Sequence, residues 1–215
     1  MNPKLRQLVI AIVSRVTESG SKVSKTKLLK LLYLFDIEWY RTHQEIFTGF
    51  NWKFYLLGPW TNEYDPTLDK YDGNGIEKEK SKDSYGTEFI KTDETVRLHD
   101  LFETRDDEII LEDMIRTWGK VPTEEILDHI YFRTEPMYEA LRDDPLDFSK
   151  VSPDTPRRYR RIRSGLKESQ IQAIRDRIAE RLEPIRERER ELKAYQPPKY
   201  DEEFINAMDR FEGLR

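Results

Sequence analysis

The chain has 215 residues, enough for one sizeable hydrophobic core, and its 42 acidic and 37 basic side chains give a net charge of −5. That balance argues against a bulk attraction to nucleic acid or to an anionic membrane. The absence of cysteine excludes disulfides and thiolate metal ligands, and it fits a reducing compartment. The apolar run at residues 8–13 is too short to cross a bilayer and the N-terminus lacks a secretory signal. We therefore expect a cytoplasmic protein with no membrane partner.

Two helices are predicted at the start of the chain. Residues 3–19 show one apolar face and predict a helix that ends at Gly20. Residues 26–41, TKLLKLLYLFDIEWYR, predict a second helix that is apolar around most of its circumference. Only one narrow stripe differs, and it contains Lys27, Lys30, Leu34, Glu38 and Arg41. A helix of this kind must be packed on several sides, so we expect it at the centre of the fold.

Asp36 lies in the middle of the apolar arc of this second helix. A lone carboxylate in such a position is costly without a partner. We expect Asp36 to accept hydrogen bonds from backbone donors of a packed loop, or to pair with an arginine or lysine, and so to hold the fold. A tuned catalytic acid or base is the alternative interpretation.

An aromatic segment follows at residues 44–60. Alternation of Phe50, Trp52 and Phe54 predicts a short strand, which Gly58 and Pro59 end because proline lacks a backbone donor and disfavours helix before it. The large aromatics of this region exceed what one modest core needs, and some should reach the surface as anchors for a partner. We assign Trp39 and Trp52 to the core. The predicted partner-binding residues are Tyr55, Trp60 and Tyr64.

The rest of the first 150 residues is predicted to be mostly helical. A short helix to about residue 71 precedes an exposed hairpin formed by residues 76–82 and 87–91. Helical periodicity then returns in residues 93–118 and 124–132. The predicted fold class is mainly α: a compact helical bundle around one buried central helix with a small β element, plus a charged helical C-terminal extension.

The C-terminal extension is predicted to begin near residue 150, dividing the chain into domains 1–149 and 150–215. Prolines interrupt residues 146–156, and a highly charged helix with a single apolar stripe is predicted over residues 167–195. That stripe is suited either to docking along the N-terminal body or to pairing with a second copy as a homodimer. Pro184 argues against a long regular coiled coil.

A basic cluster opens this extension, RRYRRIR at residues 157–163. Arginines with an interleaved aromatic residue suit phosphate contact and base stacking. Nucleic-acid binding is therefore the alternative function, with Arg157, Arg158, Arg160, Arg161 and Arg163 as the contacting residues. The competing interpretation is a salt-bridged helix that faces an acidic patch of the same protein.

The sequence offers no recognisable catalytic, metal or cofactor site. The three histidines, His43, His99 and His129, are far apart in the chain, which disfavours zinc. Neither a phosphate-binding loop nor a nucleophile elbow occurs. We expect a non-enzyme with no catalytic residues and no cofactor.

The motif KLLKLLYLFD at residues 27–36, followed about twenty residues later by Gly58 and Pro59 and then by a helix, resembles the Panacea domain of SocA-like antitoxins. Residues 126–138, ILDHIYFRTEPMY, resemble a later part of the same domain. The resemblance covers roughly residues 1–149. The residues that carry the motif are Lys27, Leu31, Tyr33, Asp36, Gly58 and Pro59. The chain departs from the family pattern at Trp60 and in the charged extension beyond Pro153.

The resemblance implies an antitoxin of a two-gene toxin–antitoxin system that neutralises its cognate toxin by direct protein contact. It also implies that some members act as adaptors which deliver a toxin to a protease, and that many are encoded in phages or mobile elements. The physical features agree with an interaction role, because a small domain with surplus aromatics and no catalytic constellation is suited to binding.

Overall fold

The computed structural model of the chain describes residues 4–56, 58–81, 87–138 and 140–153. Helices dominate these residues, and the predicted mainly α fold is confirmed. The helices are α1 (Leu5–Glu18), α2 (Lys25–His43), α3 (Tyr64–Tyr71), α4 (Leu98–Leu101), α5 (Arg105–Trp118), α6 (Thr123–Arg133) and α7 (Glu135–Tyr138). The strands are β1 (Val23–Ser24), β2 (Lys53–Tyr55), β3 (Gly58–Trp60), β4 (Glu77–Lys80) and β5 (Glu88–Lys91), and a 3-10 turn follows at Phe148–Lys150.

Helix α2 is the centre of the core. Ser24 caps its first turn by accepting a hydrogen bond from the backbone N–H of Lys27. Every residue from 27 to 39 is buried, and the helix contacts α1, α5 and α6. Lys27, Lys30 and Glu38 of the polar stripe are buried too. The burial of the two lysines is compensated, because each donates to a backbone carbonyl outside α2.

Two small antiparallel sheets accompany the helices. Strands β1, β5 and β4 lie side by side in that order, so the predicted hairpin of residues 76–82 and 87–91 corresponds to the paired β4 and β5. Strands β2 and β3 form a separate hairpin in which Phe54 faces Pro59 and Tyr55 faces Gly58. The sequence predicted one strand in this second region, and β1 was not predicted.

The single helix predicted over residues 93–118 is wrong. The chain is extended at Phe102 and Thr104, which separates the short α4 from α5. The Thr104 side chain accepts a hydrogen bond from the backbone N–H of Asp107 and so starts a new helix. Three acidic residues in the first turn of α5 favour that start, since the positive end of the helix dipole lies there.

No helix among the described residues combines the length and apolar character that crossing a bilayer requires. The charged helix predicted over residues 167–195 and the arginines of residues 157–163 lie outside the described residues.

Candidate functional site

Asp36 holds the loop that leads into β2. Its fully buried carboxylate accepts hydrogen bonds from the backbone N–H of Thr48 at 3.0 Å, the Thr48 hydroxyl at 2.5 Å and the indole Nε1 of Trp52 at 2.8 Å. Burial raises the pKa of Asp36 to about 7. The hydrogen bonds lower this pKa, but by less than burial raises it. All three donors belong to the loop, so the predicted loop contact is confirmed, but two of the three are side chains, whereas the sequence predicted backbone donors. The acid therefore fixes the start of the aromatic segment.

Lys30 and Gly58 position β3. The buried Nζ of Lys30 donates to the carbonyl oxygen of Pro59 at 2.7 Å, and burial lowers the pKa of Lys30 to about 7. Gly58 has φ +81°, a conformation that residues with a side chain rarely adopt, and a Cβ there would lie 3.4 Å from Leu127 of α6. The Gly-Pro pair is thus held between α2 and α6, which fixes the hairpin on the body of the protein.

The remaining motif residues are interior packing positions. Leu31 is fully buried, and Lys27 Nζ donates to the carbonyl of Gly119 at 2.7 Å. The Tyr33 hydroxyl lies 3.2 Å from the Thr134 hydroxyl, and its ring meets the Trp52 indole edge-on at 5.3 Å. The motif on α2 therefore supports the hairpin and α6 from within.

A second segment pairs with β2 on the edge that β3 leaves open. Backbone hydrogen bonds join Phe54 to Asp143 and Asp144, and Trp52 to Leu146, at 2.7–2.9 Å. This segment brings Leu141 and Arg142 next to the hairpin, and the Arg142 guanidinium lies 5.9 Å from the centre of the Tyr55 ring.

The hairpin and the segment beside it carry several exposed or half-buried side chains. The rings of Tyr55 and Trp60 are 5.2 Å apart, Tyr55 is 40% exposed, Leu56 is 56% exposed and Trp60 is half-buried. We call the group formed by Tyr55, Leu56, Trp60 and Arg142 the hairpin surface. It brings together two of the three predicted partner-binding residues.

The third predicted partner-binding residue, Tyr64, is in the core. It is only 2% exposed, and its hydroxyl donates to the carbonyl of Lys25 at 2.7 Å. The expectation that Tyr64 reaches the surface is therefore wrong. Its ring lies on the buried side of α3 together with Leu68 and Tyr71, and that spacing of four and three residues is the signal that could have placed it inside.

Sequence reasoning missed several residues of this region. Leu56 and Arg142 were not singled out, since one exposed leucine or arginine has no distinctive pattern. The Arg41 guanidinium forms a bidentate ion pair with Glu135 at 2.6 and 2.7 Å and also donates to the carbonyl of Ser152. Arg41 and Glu135 are 94 positions apart, and no local pattern connects them.

A second apolar area lies on α6 and α7. Phe132 is 45% exposed and Tyr138 is more exposed, and both line an open depression with Arg133 and Lys150. Phe132 provides a comparison residue for Tyr55, because the two aromatic side chains are similarly exposed.

The histidines do not form a site together. His43 stacks on Trp39 and its Nε2 lies 2.7 Å from Asp107, whereas His129 packs against Trp118. Over the described residues, no group of three or more histidine, aspartate or glutamate side chains is arranged to hold a metal ion.

Comparison with known protein families gives a match. A family model described as the SocA-like antitoxin, Panacea domain, matches residues 28–135, which is half of the chain. The matched range contains Asp36, the hairpin and the whole of α6. No curated protein and no solved structure matches the chain.

Proposed function

This chain belongs to the SocA-like antitoxin family with a Panacea domain, and from that premise we propose that it neutralises a toxin by binding it directly through the hairpin surface. Family membership supports the antitoxin role. The choice of surface rests on one observation, the exposed contact between Tyr55 and Trp60 beside Leu56.

The hairpin surface has the chemistry of a binding hot spot. Tyrosine, tryptophan and arginine are the residues on which binding energy concentrates, because they offer a large contact area together with a polar group. The rings of Tyr55 and Trp60 restrict each other, and Arg142 lies against Tyr55, so little side-chain freedom is left to lose on binding. Lys30 donates to the Pro59 carbonyl next to Trp60, and Asp36 accepts hydrogen bonds that hold the loop before β2.

The proposed mechanism is stoichiometric occlusion. The antitoxin covers the active surface of the toxin and remains bound, without turnover and without a cofactor. Its site of action is the cytoplasm, where the toxin is made. Delivery of the bound toxin to a protease is a further step of the same proposal, in which the hairpin surface holds the toxin and another part of the chain contacts the protease.

The direct test pairs the chain with the protein encoded by its neighbouring gene. We expect that protein to stop bacterial growth when expressed alone, and growth to return when this chain is co-expressed. The two proteins should also co-purify in a fixed ratio. Growth that remains arrested with the intact chain would overturn the proposed function.

The choice of surface is tested separately with matched variants. The double variant Tyr55→Ser and Leu56→Ser should weaken the complex by about 30-fold or more, as expected when a hot spot worth at least about 2 kcal/mol is lost. The control is Phe132→Ser, which removes a similarly exposed aromatic ring from α6. Calorimetry on purified proteins measures both. An equal loss of affinity for the toxin in the two variants would place the contact elsewhere, even if the intact chain restores growth.

A further inference from the structure

A basic depression lies between the start of α2 and the turn that precedes α6, away from the residues of the hairpin surface. Phe89 of β5 and Val121 contribute its apolar lining. Its polar lining consists of three lysines and three hydroxyl residues and includes no acid: Lys22, Lys27, Lys120, Ser21, Ser24 and Thr123. In a chain of net charge −5, three cations without an acid are a local departure from the overall balance.

Lys27 is the least expected of these lysines. It is only 5% exposed, and its Nζ donates to the Gly119 carbonyl at 2.7 Å and to the Ser21 hydroxyl at 3.3 Å. Both partners are neutral, and burial lowers the pKa of Lys27 with no acid nearby to raise it. A buried cation without a counter-ion is unfavourable.

Lys25, two residues earlier on α2, is neutralised by acidic side chains, in contrast to Lys27. Its Nζ pairs with Asp65 at 3.1 Å and with Glu88 at 3.4 Å. No carboxylate of the described residues lies within ion-pair distance of Lys22, Lys27 or Lys120; Lys22 instead lies 5.4 Å from the centre of the Phe89 ring. Lys25 is neutralised by acids of this chain, whereas, among the described residues, the three lysines of the depression are not. Their positive charge is therefore available to an external anion.

We propose that this depression binds a phosphate group. Lysine ammonium groups are common phosphate ligands, and hydroxyls at the rim donate to oxyanion oxygens. Ser24 Oγ already accepts from the N–H of Lys27 and keeps its own proton to donate. Glu124 and Glu125 follow Thr123 at the start of α6 but do not line the depression. The phosphate comes either from the free ion or from a nucleotide, whose base the apolar lining would accommodate.

An NMR titration of the full chain tests the proposal. Inorganic phosphate, added at constant ionic strength, should shift the backbone amide signals of residues 21–27, 120, 121 and 123 in a saturable way, while chloride at the same ionic strength should not. A parallel titration with AMP, which carries a single phosphate group, distinguishes the two sources: tighter binding of AMP assigns the site to a nucleotide, and equal or weaker binding assigns it to free phosphate. Acetate that binds as tightly as phosphate would overturn the assignment to phosphate.

Matched variants locate the binding. Lys22→Gln with Lys120→Gln should weaken phosphate binding by about tenfold or more, because the phosphate loses two exposed cations that donate charge-assisted hydrogen bonds. The control is Lys70→Gln with Lys80→Gln, which removes two exposed lysines outside the depression. Both double variants leave Lys27 and the core unchanged. The proposal would be overturned if the two double variants bound phosphate with equal affinity, or if phosphate shifted amide signals over the whole surface. This holds whatever the outcome of the toxin assay.

Discussion

The two ends of residues 47–60 use their side chains in opposite ways. At the loop end, Thr48 and Trp52 are buried and hydrogen-bonded to Asp36. At the hairpin end, Tyr55 and Trp60 contact each other, and Tyr55 is exposed. The same short segment therefore combines an anchor and a contact surface. Substitutions in the anchor should change stability, and substitutions in the surface should change binding.

The largest effect is expected from Asp36→Ala, which removes the acceptor of the anchor. The Thr48 N–H and the Trp52 indole N–H would then be buried without a partner, so the free energy of unfolding should fall by about 3–5 kcal/mol. Urea unfolding near pH 7 measures this. Asp93→Ala, at an exposed acid, should stay within about 0.5 kcal/mol of the parent chain. A loss below about 1 kcal/mol for Asp36→Ala would show that the anchor contributes little.

A smaller effect is expected from pH. The pKa of Asp36 is raised from 3.8 to about 7 in the folded chain, so the folded state retains a proton that the unfolded state has lost between those values. The stability that this carboxyl contributes is therefore present at low pH and lost as pH rises through about 7, by about 2–3 kcal/mol between pH 5 and pH 7.5. The difference in unfolding free energy between the parent and Asp36→Asn, followed across this range, isolates that contribution. A difference that does not change with pH would contradict the raised pKa.

The smallest effect on stability is expected from a substitution in the contact surface at the hairpin end. Tyr55→Ser should lower the free energy of unfolding by only about 0.5–1 kcal/mol, mainly through the lost contact with Trp60. The same preparation should bind the toxin markedly less well. Thermal unfolding and calorimetry on one sample measure both quantities. A large loss of stability in Tyr55→Ser would remove the distinction between anchor and surface.

The sequence predicted the anchor better than the surface, for a physical reason. An apolar helix circumference with one carboxylate indicates burial, because the periodicity of α2 and the cost of an unpaired charge both act locally. Backbone donors to Asp36 were predicted, and the side-chain donors of Thr48 and Trp52 were missed, since the fold of the loop decides which groups reach the carboxylate. The burial of Lys27 and Lys30 was missed because each depends on a carbonyl from a distant element.

Surface positions were harder to predict. Tyr64 and Tyr55 are both tyrosines in one aromatic segment, yet one is in the core and the other is exposed, because α3 turns Tyr64 towards α2. The break before α5 was missed for a different reason. A single hydrogen bond to the Thr104 side chain starts a new helix there. The apolar periodicity on both sides of Thr104 suggests one continuous helix and so hides the break.

The backbone pairing of β2 limits how a partner can approach. One edge of β2 pairs with β3 and the other with residues 143–146, so its hydrogen-bonding groups face other parts of the same chain. A foreign peptide cannot extend the sheet by strand addition beside β2, which is a frequent mode of peptide capture and of unwanted self-association. Recognition at this strand must come from side chains, and so its specificity is open to change by single substitutions without altering the backbone.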